Sequence, residues 1–224
     1  MGKITILPET TKDPISLIGR CAGVCLESDI ESADRNYKRG LDCIASNHGR
    51  VMEYAEVYAV LDGYSARVIR EWYTHIGGSP TRLQASTRYI NYDNFAYVTP
   101  PSVLKSDAAA RVYFEAMKNI LDSYELLQEL GVPKEDAALV LPLGMTTRIV
   151  DKRNLRNIMD MSRNRMCTRA YHEYRQLFND YLKALSEYSD EWKTLCDMVM
   201  MPKCDALGYC PEKKGCGRKP GRTE

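Results

Sequence analysis

The sequence lacks an excess of charge of either sign: 31 Lys and Arg stand against 30 Asp and Glu, a net charge of +1 over 224 residues. So close a balance creates no global field to draw nucleic acid or an anionic membrane. Neither is expected as a partner, and any anion site must be local. The chain also lacks an apolar run that approaches the length of a membrane span. Its first residues, MGKITILPETTKDP, lack the charged-then-apolar pattern of a secretory leader, so a cytoplasmic protein is the expectation. The length suffices for one domain with a full core, or for one domain with an appendage.

Cysteine is not scarce, at eight residues, but the chain is neither small nor visibly exported, so no disulfide framework is expected. Cys21, Cys25, Cys43 and Cys167 fall in helical stretches and read as small buried thiols. The other four, Cys196, Cys204, Cys210 and Cys216, crowd towards the C-terminus with seven, five and five residues between them. Pairs in structural zinc sites stand closer than this. Free thiols are favoured, with a zinc site and a disulfide as the alternatives, and no metal ligand is assigned.

Residues 75–89, HIGGSPTRLQASTRY, join a Gly77-Gly78 turn to a run of polar groups. Thr81, Arg82, Gln84, Ser86, Thr87 and Arg88 supply hydroxyl, amide and guanidinium groups with almost no large apolar residue between them. Buried polar groups without partners cost stability, so this run belongs in water or around a polar ligand rather than in a core strand. Two guanidinium groups among small hydroxyl donors suit a phosphate. A solvated loop fits the local composition equally well.

Around that stretch the chain reads as a mixture of helices and strands. Residues 1–7 form a short edge strand closed by Pro8, and Ile15, Ile18, Cys21 and Cys25 repeat at helical spacing after Pro14. A second helix covers 29–45. EVYAVLDGY is a strand ending at Asp62-Gly63, and Ser65 caps SARVIREWYTH, a helix that delivers His75 to the glycine turn. The stripe within 106–130, ended by Gly131 and Pro133, makes a helix long enough to be a main packing element. A helical turn follows at 134–138. From Lys152 a helical pattern runs with little interruption through Tyr188, with Leu155, Met159, Ser162 and Met166 on one side. Asn154, Asn157, Asp160, Asn164 and Arg165 lie on or beside the other, which alone would read as a solvated face.

Several separated motifs resemble the flavin-dependent thymidylate synthases. That family carries an Arg-His-Arg triplet at a helix end, a spacer, and Ser-x-Arg followed by an aromatic residue. Here His75 stands at the central histidine and Ser86-Thr87-Arg88-Tyr89 matches the second half. His48, Val51 and Glu53 are in register with an upstream segment, and Gly63, Ser65 and Arg67 are similar to its Gly-x-Ser-Arg turn. Downstream, Leu141-Pro142-Leu143, Thr147-Arg148, Asn154-Leu155-Arg156 and the Arg165, Ala170, Glu173 pattern follow in order, so the likeness covers roughly residues 15–185.

The resemblance implies a mixed α/β (α+β) fold, a twisted central sheet flanked by helices. It sets residues 1–198 as the catalytic domain and 199–224 as a Cys-containing, basic tail. It implies FAD as cofactor, methylenetetrahydrofolate and NADPH as co-substrates, and a homotetramer with active sites at subunit interfaces that methylates dUMP reductively to dTMP. Glu71, Gln84, Ser86, Thr87, Arg88 and Arg165 would hold dUMP. His75, Asn154, Asp160 and Asn164 would contact the flavin, and His75 and Arg165 would be the catalytic pair, with Arg165 polarising the pyrimidine.

The chain also departs from the family. Thr74 and Ile76 replace the triplet's arginines, Gly77-Gly78 is an insertion, Tyr54 replaces a histidine, and Ala138 stands where the family has a substrate-binding arginine. Glu71 and Asp160 replace a glutamine and an asparagine. These changes remove positive charge from a site for anions, and Arg82, on the inserted side of the loop, is the expected replacement in the flavin site. A related reaction, such as dUMP hydroxymethylation, and a non-catalytic nucleotide-binding role are the alternatives. From 203 to 224 there are six Lys and Arg against three Asp and Glu, which reads as a solvated basic terminus.

Overall fold

The computed structural model describes residues 2–222; residue 1 of the expected edge strand and residues 223–224 of the tail lie outside them. Strands β1 (Lys3–Ile6), β2 (Glu56–Ser65), β3 (Thr81–Gln84) and β4 (Thr146–Asn154) form one antiparallel sheet in the order β1-β2-β4-β3. Helices flank it, so the mixed α/β class holds. β1 is an edge strand, as expected, and β3 is the other edge. The polar run therefore does contain a strand, but a four-residue edge strand with three residues exposed, where hydroxyl and guanidinium groups keep their water.

β2 alternates as a half-buried strand must: Val57, Ala59 and Leu61 are fully buried, and Glu56, Tyr58 and Val60 between them are partly exposed. It runs past the expected stop at Asp62-Gly63 to Ser65. β4 corrects a larger expectation. Lys152 and Arg153 extend the strand, and the helix begins only at Leu155, where the Asn154 side chain caps it by accepting from the Asn157 N–H at 3.0 Å. The strand was hidden because its buried side is polar: Thr147, Ile149, Asp151 and Arg153 all face inward.

The helices are α1 (Pro14–Cys25), α2 (Ala33–Ala45), α3 (Ala66–Trp72), α4 (Asp107–Glu129), α5 (Lys134–Ala137), α6 (Leu155–Arg165), α7 (His172–Tyr188), α8 (Asp190–Val199) and α9 (Lys203–Leu207). Ser65 caps α3 as expected, accepting from Val68 N–H, but the helix stops at Trp72, so His75 lies beyond it. α2 starts four residues later than expected, behind the Ser32 cap. The helix expected from 152 to 188 is two, separated by a turn at 166–171.

By contact density the chain divides into two compact units. The first contains Leu61–Tyr73 and Leu83–Ile149, and Tyr92, Tyr124, Ala137 and Met145 form its core cluster. Its longest helix, α4, is not the main packing element it resembles in sequence. Only Met117 and Tyr124 of it are buried, while Val112, Phe114 and Leu126 stay exposed.

The second unit contains Ile4–Val60, Thr74–Arg82 and the chain from Val150 on. α1 and α2 cross closely at two glycines: a Cβ on Gly19 would stand 1.7 Å from the Asn36 carbonyl oxygen, and one on Gly40 would stand 2.0 Å from that of Ile15. Glu191 of α8 accepts from the N–H groups of Ile15 and Ser16 at 2.6 and 3.0 Å, placing a carboxylate at the positive end of α1. The expected buried thiols are less buried than that: Cys25 is exposed, Cys21, Cys43 and Cys167 are half-buried, and all eight cysteines are free. Among the described residues no helix is long and apolar enough to cross a membrane.

At the centre of this unit Arg153 and Asp151 form an ion pair in which neither side chain is exposed. Arg153 donates to both Asp151 oxygens at 2.5 and 2.8 Å and to Asn157 Oδ1 at 2.5 Å. Removing one partner of such a pair strands a buried charge, so Asp151→Ala is expected to destabilise the fold by about 3–5 kcal/mol. Urea unfolding would show this as a lower midpoint, largely restored by combining Asp151→Leu with Arg153→Met; a midpoint unchanged by Asp151→Ala would mean the charge is not isolated.

Candidate functional site

The residues expected to hold the nucleotide fall mainly in the first unit. Glu71 is half-buried on α3. Beyond the start of β3, Gln84 donates to Thr147 Oγ1 at 3.3 Å, and the following turn is closed by the Ser86 hydroxyl accepting from Arg88 N–H at 3.1 Å. Thr87 is exposed in that turn. The Arg88 guanidinium is spoken for by Glu135 at 2.7 Å, and it lies over the Tyr89 ring at 5.7 Å. The pair is more than half exposed on both sides, which keeps it weak enough for a phosphate to displace the carboxylate. The structure thus brings Ser86, Thr87 and Arg88 together on one turn.

The remaining residues lie in the second unit and converge on α6. Arg165, at its last turn, donates from Nε to Nε2 of His75 at 2.9 Å. Both rest on Tyr174 of α7: the guanidinium carbon is 4.5 Å from its ring centre, and the imidazole meets it edge-on at 6.1 Å. Because Nε2 accepts, the imidazole is neutral with its proton on Nδ1. Electrostatics agree: burial first, then the charges of Arg165 and Arg153, push the His75 pKa down to about 4.

The loop carrying His75 is latched to the start of α6. Asn157 Nδ2 donates to the Gly77 carbonyl at 2.6 Å and Asn154 Nδ2 reaches that of Gly78 at 3.4 Å. Gly78 has φ +73, and a Cβ there would stand 2.4 Å from Asn154 Nδ2, so the inserted glycines are what allow the loop to lie this close. Asn154, expected at the flavin, spends both ends of its amide on the helix cap and this latch. Asp160 and Asn164 face outward from the same helix; Asp160 sits 3.9 Å from Arg163, and Asn164 Nδ2 donates to the Asp160 carbonyl. Arg82 lies half-buried on β3.

Two cavities adjoin α6. Asn164, Arg165 and Arg169 help line one of about 230 Å³. Arg50, Arg156, Asp160 and Arg163 help line another of about 200 Å³. Sequence reasoning missed Asn157, Arg153 and Tyr174 as the parts that aim His75 and Arg165. Asn157 carried the available signal, three residues after a capping Asn, where a second amide on the first helical turn must face the incoming loop.

The unfolded imidazole titrates near 6.5 and the folded one near 4. Between those values the unfolded state binds more protons, so this residue makes stability fall as pH drops from 6.5 towards 4 and has no further effect below. Melting temperatures measured across that window should fall more steeply for the native chain than for His75→Gln, which keeps an acceptor for Arg165 but does not titrate. Parallel curves would remove His75 from the account.

Residues 6–189 match the family described as thymidylate synthase complementing protein. Three proteins named flavin-dependent thymidylate synthase are similar along most of their length. That of Geobacter sulfurreducens is 31% identical, with 81% of each chain covered. That of Pyrococcus furiosus is 28% identical over 98% of this chain and 95% of its own, and that of Clostridium tetani 26% identical over 97% and 94%. The match spans both the Ser86 turn and the His75–Arg165 pair, and the chain belongs to the thymidylate synthase complementing protein family.

Proposed function

We propose that the protein converts dUMP to dTMP by flavin-dependent reductive methylation, with methylenetetrahydrofolate as carbon donor, NADPH as reductant and FAD as the bound flavin. The observation that carries this reading is the Arg165 guanidinium held by a neutral His75. The family membership and the relatives' names support it.

The chemistry explains why such a pair is wanted. The transferred carbon is at the oxidation level of formaldehyde in the donor and of a methyl group in the product, so each turnover needs one hydride equivalent from elsewhere. A bound flavin supplies hydride transfer. What remains for the protein is to hold the nucleotide and polarise its ring. Uracil C5 is a poor nucleophile, and a guanidinium set against a ring oxygen stabilises the charge that develops as C5 attacks. Arg165 suits this role because its Nε bond to His75 and its seat on Tyr174 fix its direction before substrate arrives. Ser86, Thr87 and Arg88 would receive the phosphate on their turn, with Gln84 and Glu71 positioning the rest.

The residues near α6 fit a flavin by the chemistry of their donors. Asn164 offers an amide at one cavity, and Arg50, Arg156 and Arg163 offer three guanidinium groups at the other, suited to ring oxygens and to a pyrophosphate. Asp160, Asn164, His75, Asn154 and Arg82 are assigned to that group. The protein works as a homotetramer with active sites at subunit interfaces, and the apolar side chains that α4 leaves exposed, Val112 and Leu126 among them, are a surface for such contacts.

The deciding experiment is the visible spectrum of the protein loaded with FAD. NADPH should bleach it, faster with dUMP present, and dTMP should appear on adding methylenetetrahydrofolate; a chain unable to take up FAD would end this reading. Arg165→Ala should keep dUMP-independent bleaching while lowering dTMP formation by about 100-fold or more. For the assembly, light scattering should give the mass of four chains, falling when Val112→Asp and Leu126→Asp are combined. A monomeric native chain would dispose of the tetramer.

A further inference from the structure

The C-terminal segment from α9 onwards lies beyond residues 6–189, the part that matches the family model, and the residues placed at the candidate site include no cysteine. Four of the eight thiols are nonetheless gathered in one place. Cys204, Cys210 and Cys216 line the 230 Å³ cavity together with Cys167, which follows α6, so Cys196, grouped with the tail thiols in sequence, drops out of the set. Among the described residues no three His, Cys, Asp or Glu side chains are grouped to hold a metal ion.

Two of the four sit in one loop whose ends are pinned. Cys210 N–H donates to the Pro220 carbonyl at 2.7 Å, a parallel bridge joins Cys210 to Gly221, and Arg218 and Lys219 both pair with Asp205. Between these anchors Arg169 donates to Glu212 at 2.6 Å. The chain folds back on itself inside the loop: a Cβ on Gly215 would stand 3.2 Å from Cys210 Sγ and 3.7 Å from its Cβ. Cys216 is the next residue, its Cα about 3.8 Å further along. It has a glycine on each side, and Gly217 stands at φ +83. A disulfide needs Cα atoms about 4.4–6.8 Å apart, and turning about the two glycines is the movement that brings Cys216 to Cys210.

The two thiols are unlike. Cys216 is exposed and Cys210 half-buried. A hydrogen bond with Thr168, then one from the Arg218 N–H and the charge of Arg169, hold the Cys216 thiol below its usual pKa. Peroxides attack exposed thiolates, and a second thiol close by turns the product into a disulfide before it is oxidised further. We propose that Cys216 and Cys210 form a reversible redox pair, in which a hydroperoxide oxidises Cys216 and Cys210 resolves the product. The Cys216 thiolate attacks one peroxide oxygen, the O–O bond breaks, and the departing oxygen takes a proton to leave as water or an alcohol; a sulfenic acid remains. The Cys210 sulfur then displaces the hydroxyl: S–S forms, S–O breaks, and the Cys210 thiol proton leaves with the hydroxyl as water. A dithiol restores both thiols and is itself oxidised to a disulfide. None of these steps uses a nucleotide or a flavin, so the pair stands apart from the proposed function.

The test uses the full chain, with hydrogen peroxide as oxidant, dimedone to trap sulfenic acid and peptide mass spectrometry to locate the bonds. Iodoacetamide at pH 7 should label Cys216 about threefold or more faster than Cys25, the other exposed cysteine, because the gain in thiolate outweighs the fall in intrinsic nucleophilicity. Thr168→Val should remove most of that difference. Peroxide should link Cys216 to Cys210, and dithiothreitol should separate them again. In Cys210→Ser the oxidised Cys216 should carry dimedone instead, and in Cys216→Ser the Cys210 thiol should stay reduced. The labelling rates and the position of the bond are read on the native chain, so neither depends on a variant that folds. A Cys216 labelled no faster than Cys25, a bond from Cys216 to Cys167 or Cys204 instead, or an oxidation that dithiothreitol does not reverse overturns the pair. So does a chain that holds a zinc ion tightly and leaves Cys216 unlabelled.

Discussion

Much of the second unit is arranged around one guanidinium that cannot reach water. Arg153 is fully buried in the last turn of β4, and a charge in that position persists only if every direction around it offers an acceptor. Asp151, two residues back on the same face of the strand, supplies two oxygens, and Asn157, one turn into α6, supplies a third. The demand fixes where the strand stops and the helix starts: Asn157 must lie above Arg153, so α6 has to begin at Leu155. The same Asn157 side chain turns its amide nitrogen to the Gly77 carbonyl. The buried charge therefore reaches the candidate site through Asn157, which links the strand, the helix and the loop bearing His75.

This also explains which parts were legible in the sequence. Elements whose buried faces are apolar could be read: β2 by its alternation, α1 by its spacing, and α3 by its Ser cap. β4 could not, because hydropathy takes Thr147, Asp151 and Arg153 for solvent-facing residues when they are the inward ones. The misplaced start of α6 follows from that. α4 fails in the opposite sense: its apolar spacing is real, yet much of it is exposed in a single chain. A periodic stripe shows which face avoids water without showing what covers it.

The candidate site residues were chosen through motif order rather than through physics. His75, Ser86 and Arg165 could be named from their surroundings in the chain, but nothing in the sequence says that Arg165 donates to His75 across 90 residues. Asn154 was read as a ligand contact, and its local position makes it first a helix cap and a latch. The tail was read as a solvated terminus because its charges look dispersed. Folding gathers Lys203 and Arg218 with three arginines from the region of α6 into one wall. Spacing along a chain is a poor guide to that, since the grouping depends on Asp205 and Glu212 pinning the segment back.

The departures around His75 are mutually consistent in electrostatic terms. An imidazole flanked in sequence by two arginines would lie in a strongly positive field; here Thr74 and Ile76 leave the field to Arg165 and Arg153, and burial contributes most to the lowered pKa. The neutral form is what the geometry requires, because a protonated ring has two donors and no lone pair for the Arg165 Nε–H. Losing that bond would take away a contact that, with the Tyr174 ring, sets the direction of the guanidinium. Arg153 thus acts twice: its hydrogen-bond demand places Asn157 and the His75 loop, and its charge helps keep the imidazole an acceptor. With orientation secured by a buried charge on β4, the loop no longer needs its own arginines to position the histidine, and the positive charge for anionic ligands can come from elsewhere in the unit.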